Sequence, residues 1–300
     1  MGVFAYRGEV MDRVIRGILN EGKVRVFFAD ISDSCKEICR LHNCTPVASD
    51  ALSRLLSVGA IMAAMQKDGK LTLRIDSCGP IKLMLVDANA DGTIRGFVAN
   101  PDADVPLTER NTLDVSKAVG ELGFITVIKD LGMKQNFSSQ IELQSGSIGD
   151  DFSMYFRESE QVPSLVAVGS KIGKDGLVSK AGAIIIQLMP GADEVDFQYV
   201  ERLGKYLPPM SEILSVEAPM EAKLQELIPE VEILGDKEIN FKCNCSKEKI
   251  VASIATLHED EIRDMIAENH SFETRCEFCS RIYEITKEDL EASLRIRTGN

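Results

Sequence analysis

Short runs of alternating apolar and polar residues dominate the first 190 positions, and only a few stretches carry a helical stripe. Leu71, Leu73 and Ile75 alternate with Thr72, Arg74 and Asp76, the period of a half-buried strand. Residues 23–29 form a second strand candidate after the Glu21-Gly22 turn. Gly79-Pro80 turns the chain into a strand over 81–86, and Asn89-Ala90-Asp91-Gly92 turns it into another over 93–99. Residues 124–128 and 137–143 continue the series, separated by Asp130-Leu131-Gly132. A helix runs from a cap at Ser49 or Asp50 to about Lys67, with Leu52, Leu55, Leu56, Gly59 and Ala63 on one stripe. Residues 150–159 read as a helix broken before Pro163, and 165–168 and 183–188 as apolar strands around the Gly-rich turn 173–176. Consecutive strands on short turns predict an antiparallel or mixed sheet rather than repeated parallel crossovers.

After Met189-Pro190-Gly191 the texture changes. Residues 193–206, 211–216 and 220–228 read as short helices punctuated by Pro208, Pro209, Pro219 and Pro229. From about Asp236 a distinct terminal module begins. The expected class is α+β: a mixed sheet-and-helix core over 1–190, an amphipathic helical linker over 191–235, and a small zinc-binding module over 236–300. No internal repeat or low-complexity tract is visible.

Charge narrows the partners. The chain carries a net −13, and between Pro190 and Gly235 stand 10 Asp or Glu against 3 Lys or Arg, a net of −7. Nucleic-acid affinity rests on counterion release by clustered Lys and Arg, so this average surface repels it. An anionic membrane is disfavoured for the same reason. Residues 1–10 carry Arg7 and Glu9 and lack the apolar stretch and cleavage site of a signal peptide. Met1-Gly2 opens like a myristoylation site, but Tyr6 stands where Ser or Thr is needed. The longest apolar runs, 58–65 and 181–189, are far short of the roughly 20 residues that span a bilayer. The protein reads as cytosolic, so the sequons at Asn43, Asn136, Asn244 and Asn269 are chance matches. Its eight cysteines then need a reason other than structural disulfides.

That reason lies near the C-terminus. Cys243-Asn244-Cys245 is followed, thirty residues later, by Cys276-Glu277-Phe278-Cys279. Two close pairs separated by a loop bring four thiolates to one tetrahedral ion. Zinc is the usual occupant, and soft sulfur ligands also admit Cu(I) or an iron–sulfur cluster. Four protein ligands leave no open position, which argues against a catalytic metal. A thioredoxin-like pair at Cys276 and Cys279 is the nearest rival, but it does not explain Cys243 and Cys245. The module has few large apolar groups, among them Phe241, Ile262, Phe278, Tyr283 and Leu290. A domain that small is marginal without a staple. Structural zinc contributes on the order of 10–16 kcal/mol of apparent folding energy, so metal loss unfolds such a module. A disulfide sulfur is no longer a thiolate ligand, and within each motif the two sulfurs are close enough to pair. The four residues can therefore act as clamp and redox switch together.

Other candidates weigh less. Cys35, Cys39 and Cys44, with His42, imitate a second cluster, but Cys35 and Cys39 fit one helical face and read as core packing. Cys78 lies by a turn as a bystander. His258 and His270 lie between the cysteine pairs, where four thiolates already fill the site. Residues 169–174 resemble a phosphate loop one residue short, with Asp175 where Ser or Thr belongs, so ATP binding is unsupported. No constellation supports an enzyme.

With those residues in view, the chain resembles the redox-regulated 33-kilodalton heat-shock chaperones (heat shock protein 33). The family hallmark, C-x-C then C-x-x-C after about thirty residues, is matched by Cys243, Cys245, Cys276 and Cys279. The likeness extends to Gly79-Pro80-Ile81, VDANADGTIRGFVANP (86–101), KDLGMK (129–134), SGSIGDDFSMYF (145–156), SEQVPS (159–164) and QLMPG (187–191). It thus covers nearly the whole chain, whereas Cys35, Cys39, Cys44 and Cys78 fall outside the family pattern. The resemblance implies an ATP-independent holdase, inactive with one zinc per chain. It implies that oxidants, notably with heat, form Cys243–Cys245 and Cys276–Cys279 disulfides, release zinc, loosen linker and module, and yield a dimer that holds unfolding clients. The competing readings are a zinc-ribbon nucleic-acid-binding protein and a thiol-disulfide oxidoreductase using Cys276 and Cys279.

Overall fold

A computed structural model describes residues 12–133, 135–268 and 271–298. The leader and acylation readings on residues 1–10, the sequon at Asn269 and His270 lie outside the described residues. Contacts divide the chain into two units between Phe241 and Lys242.

The first unit opens with β1 (Arg13–Leu19) and β2 (Val24–Asp30), then α1 (Ser32–Leu41) and α2 (Pro46–Ala64). Strands β3 (Lys70–Ser77), β4 (Leu83–Asn89) and β5 (Thr93–Val98) follow, then α3 (Val115–Val119), β6 (Gly123–Asp130) and β7 (Phe137–Glu142). After α4 (Ile148–Glu158) come β8 (Ser164–Ile172) and β9 (Val178–Leu188). The acidic segment supplies α5 (Glu194–Tyr206), α6 (Met210–Ser215) and α7 (Met220–Leu227), and β10 (Glu232–Glu238) and β11 (Asn240–Phe241) close the unit. Two sheets result, in the orders β10-β1-β2-β9-β8 and β11-β5-β4-β3-β6-β7. Every described pairing is antiparallel except the short β11·β5 pair. The α+β class expected from short turns is what forms.

Helix α2 packs against strands of both sheets. It begins earlier than Ser49 or Asp50, because Thr45 accepts the Ala48 N–H and Pro46 occupies the first turn, where its missing N–H costs nothing. Asp50 instead takes a bidentate bond from Arg54, at 2.7 and 2.9 Å, and one from the Ser170 hydroxyl. Sixteen of the helix's residues are buried, so it is apolar nearly all round. It is also the one described helix long and apolar enough to cross a membrane, and 89% of the relevant window is buried inside the unit. Gly59 lets α2 approach the sheet closely: a Cβ there would lie 2.8 Å from Val86 Cγ1.

The first sheet is buried on both faces. Phe27, Ala29 and Ile185 point into the core with α1 and α2. Their neighbours Val26, Phe28, Ile184 and Ile186 join a second cluster with Val200, Met210, Leu214 and Leu224 of the acidic segment. Two-sided burial explains the near-continuous apolar runs in β2 and β9. The helices of 191–235 therefore lie along the outer face of this sheet. Asp193 and Asp196 form a capping box at the start of α5, and Asp196 also accepts from Asn20 Nδ2 at 2.7 Å while Lys23 pairs with Asp193 at 3.1 Å. Pro209 and Pro219 occupy the N-cap positions of α6 and α7, starting helices rather than breaking them. The buried Lys223 ammonium donates to the Leu214 carbonyl at 3.1 Å. Residues 232–241 straddle the compositional boundary at 235/236. They form an edge strand on β1 and a two-residue strand on β5.

The second unit holds α8 (Lys247–Ile254), α9 (Glu259–Ala267), a hairpin of β12 (Phe272–Arg275) and β13 (Ile282–Ile285), and α10 (Lys287–Thr298). Its described buried apolar side chains are Val251, Ala255, Ile262, Ile285 and Leu290. Phe241, grouped with this module by composition, packs instead on the core of the first unit.

Candidate metal centre

The site is built from two backbone devices. Cys243 and Cys245 lie in the extended stretch between β11 and α8, and Ser246 caps α8 by accepting the Lys249 N–H at 3.4 Å. Cys276 and Cys279 sit in the turn of the β12–β13 hairpin. There the Cys276 N–H donates to Arg281 O at 2.9 Å, the Ser280 N–H donates to Cys276 O at 2.9 Å, and Ser280 takes φ 57°. This tight turn aims the N–H groups of Phe278 and Cys279 at the Cys276 sulfur, and that of Arg281 at Cys279. Such donors favour the thiolate over the thiol.

All four sulfurs lie within 4.8 Å of one another. Cys243 Sγ is 3.7 Å from Cys276 Sγ, and Cys245 Sγ is 3.4 Å from Cys279 Sγ. Metal–sulfur bonds of about 2.3 Å place the corners of a regular tetrahedron about 3.8 Å apart. The four side chains thus match a closed tetrahedral thiolate site without rearrangement of the chain. Each is half-buried, screened from bulk water but reachable by a small oxidant.

The sulfurs are not equivalent. Burial opposes ionisation of Cys245, but hydrogen bonds from the Tyr283 hydroxyl, at 3.1 Å, and from neighbouring thiols outweigh it and bring the thiol down to about 7. Burial, reinforced by the neighbouring sulfurs, pushes Cys279 up to about 12, and burial also raises Cys276. One group thus accepts hydrogen bonds from the others, as four thiols crowded into one small volume must arrange. Tyr283 is the partner that sequence reading missed, because it counted only as an apolar side chain. Its placement in β13, four residues beyond Cys279, is the available signal.

The remaining candidates lie elsewhere. His258 precedes α9, its N–H donating to the Glu261 carboxylate at 3.1 Å. Cys35 and Cys39 face the core from α1, where each thiol reaches a carbonyl of α2 at 3.8 Å. Cys78 is exposed, with its sulfur 3.1 Å from Leu122 O. Residues 169–172 belong to β8 and lead into a hairpin, not into the helix a phosphate loop requires.

Comparison with known proteins agrees over nearly the whole length. The family model described as Hsp33 protein matches residues 12–286. The 33 kDa chaperonin of Geobacillus sp. (strain WCH70) is 41% identical over 283 residues, covering 93% of this chain and 96% of that one. The protein of the same description from Bacillus subtilis (strain 168) is 41% identical over 283 residues, covering 94% and 97%. Among solved structures, the 33 kDa chaperonin (heat shock protein 33 homolog) of Thermotoga maritima matches with a TM-score of 0.85 and 31% identity, over 97% of this chain and 100% of that one.

Proposed function

Because this chain belongs to the Hsp33 family of chaperones, we propose that it is an ATP-independent holdase of the cytoplasm, silent when Cys243, Cys245, Cys276 and Cys279 bind one zinc ion and switched on when those sulfurs are oxidised. The observation that carries the reading is the convergence of four sulfurs in a unit whose described apolar core is five side chains. Bound zinc supplies a closed structural crosslink, worth on the order of 10–16 kcal/mol in modules of this kind.

The residues' part in the switch follows from elementary redox chemistry. Two thiols and one hydrogen peroxide give one disulfide and two waters, so pairing all four sulfurs as Cys243–Cys245 and Cys276–Cys279 consumes two peroxides. Disulfide sulfur offers no thiolate, and the site then has nothing with which to grip a cation. The five described core side chains are too few to hold the fold alone. Loss of order beyond Lys242 reaches the two-residue strand β11 and the edge strand β10, which tether the acidic segment. Release of that segment uncovers the apolar outer face of the first sheet and the undersides of α5–α7. Such surfaces within an acidic frame suit loose capture of many unfolding clients, and uncovered apolar area also favours a homodimer of the oxidised form. The net charge of −13 speaks against nucleic acid or a membrane surface as partner.

The test is aggregation of a thermally unfolded reporter without ATP. Protein treated with peroxide at mild heat should suppress it at near-stoichiometric ratios, and the reduced zinc form should not. Equal suppression by both forms, or by neither, would rule the reading out.

A further inference from the structure

We propose that Cys39 and Cys44 are a second oxidisable thiol pair, closed by peroxide into a disulfide in the turn between α1 and α2, independently of the four sulfurs of the second unit. The helix end places them together. Asn43 takes φ 51°, its N–H donates to Arg40 O at 3.2 Å, and the Cys44 N–H donates to Cys39 O at 3.1 Å. These are the two bonds of a left-handed helix C-cap, in which the side chain just past the turn packs on the one that begins it. Here those two side chains are Cys44 and Cys39, and their thiols are near enough to perturb each other's ionisation. A disulfide needs Cα atoms about 4.4–6.8 Å apart, and residues joined by such a backbone bond satisfy that span.

Exposure divides the labour. Cys44 is half-buried and open to a small oxidant, whereas Cys39 is 3% exposed and waits beside it. Hydrogen peroxide oxidises the Cys44 thiol to a sulfenic acid and is itself reduced to water. The Cys39 sulfur then attacks the Cys44 sulfur, the S–S bond forms, and the hydroxyl leaves as a second water with the Cys39 proton. Two electrons pass from the pair to one peroxide. Cys35, one turn earlier, is fully buried with its thiol on the Ser53 carbonyl, so it stays out of the exchange. The turn is already fixed by its backbone bonds. The proposal does not depend on the holdase reading, since it concerns the first unit alone.

The chain itself provides the assay. Trypsin cuts after Lys36, Arg40 and Arg54, separating Cys39 on peptide 37–40 from Cys44 on peptide 41–54. The full-length, zinc-loaded protein is treated with stepwise hydrogen peroxide, its free thiols are blocked by alkylation after unfolding, and it is digested without reductant. The expected product is the 37–40/41–54 pair, two hydrogens lighter than the sum of its peptides. The Cys44→Ser variant should leave Cys39 fully alkylated and consume two fewer thiols than the unaltered chain. Full alkylation of both Cys39 and Cys44, at peroxide levels that oxidise all four cysteines of the second unit, would overturn the proposal. So would a Cys35–Cys39 link. Because each cysteine is read on its own peptide, this result stands apart from any failure of the second unit to switch.

Discussion

Truncating Leu224 to alanine isolates the docking of the acidic segment from the redox chemistry. Leu224 is fully buried in α7, within the cluster that holds Ile15, Phe28, Ile184 and Ile186 from the sheet below. A buried Leu→Ala change costs about 2–5 kcal/mol, of which part is lost transfer energy and part the remaining cavity. A midpoint of about 3.5 kcal/mol corresponds to roughly a 400-fold shift of an equilibrium. If α5–α7 lift from the sheet as one unit while the strands stay paired, that whole factor falls on their opening. Hydrogen exchange on the reduced, metal-loaded protein should then speed up by more than two orders of magnitude in 194–227, with β2 and β9 unchanged. The same sample should hold a denatured reporter without any oxidant. Faster exchange in the helices with no gain in holding would refute the idea that this face is what clients meet. Equal acceleration in helices and strands would refute the separate docking of the segment.

Other expected outcomes follow from the same geometry. Asp196→Ala removes the N3 half of the α5 capping box, where its carboxylate accepts the Asp193 N–H, together with its bond to Asn20, costing about 1–3 kcal/mol, and proteolysis should nick 191–206 first in the reduced variant. Burial raises Asp12 to about 6 against 3.8 in an unstructured chain, so the folded state binds the extra proton. Its contribution is full below 3.8 and vanishes as pH climbs past about 6; from pH 7 to pH 5 the first unit gains roughly 1.4 kcal/mol, seen by urea unfolding and abolished in Asp12→Asn. A strong chelator applied to the reduced protein should erase the helical amide signals of 247–298 and spare those of α2. Disulfide mapping after full oxidation should return Cys243–Cys245 and Cys276–Cys279, although the two close sulfur contacts run across the motifs; Cys243–Cys276 and Cys245–Cys279 links would contradict the assigned pairing.

Much of this was legible in the sequence, for physical reasons that differ by element. Strand β3 declares itself because one face is buried and the other is not, so Leu71, Leu73 and Ile75 alternate cleanly. Strand β1 is hidden: Arg16 and Gly17 interrupt its pattern at a bulge where β10 shifts register. A Cβ on Gly17 would lie 2.6 Å from Val231, a constraint that only the packed neighbour reveals. The apolar stripes of 191–235 are readable, but not the face they cover, because pairing β2 with β9 joins residues about 160 apart. The four cysteines were the easiest features to find, since ligand type and spacing are both local. Tyr283 was not, because its role depends on the hairpin folding back over Cys245.

One titration bears on the central claim directly: zinc released, thiols lost and amide signals of residues 242–298 followed together as peroxide is added to the reduced protein. The account predicts that one zinc leaves per chain as the four second-unit thiols disappear, and that the signals collapse in the same step while those of the first sheet's core persist. A metal-free starting protein would contradict it, as would a second unit that keeps its signals after its four sulfurs are joined.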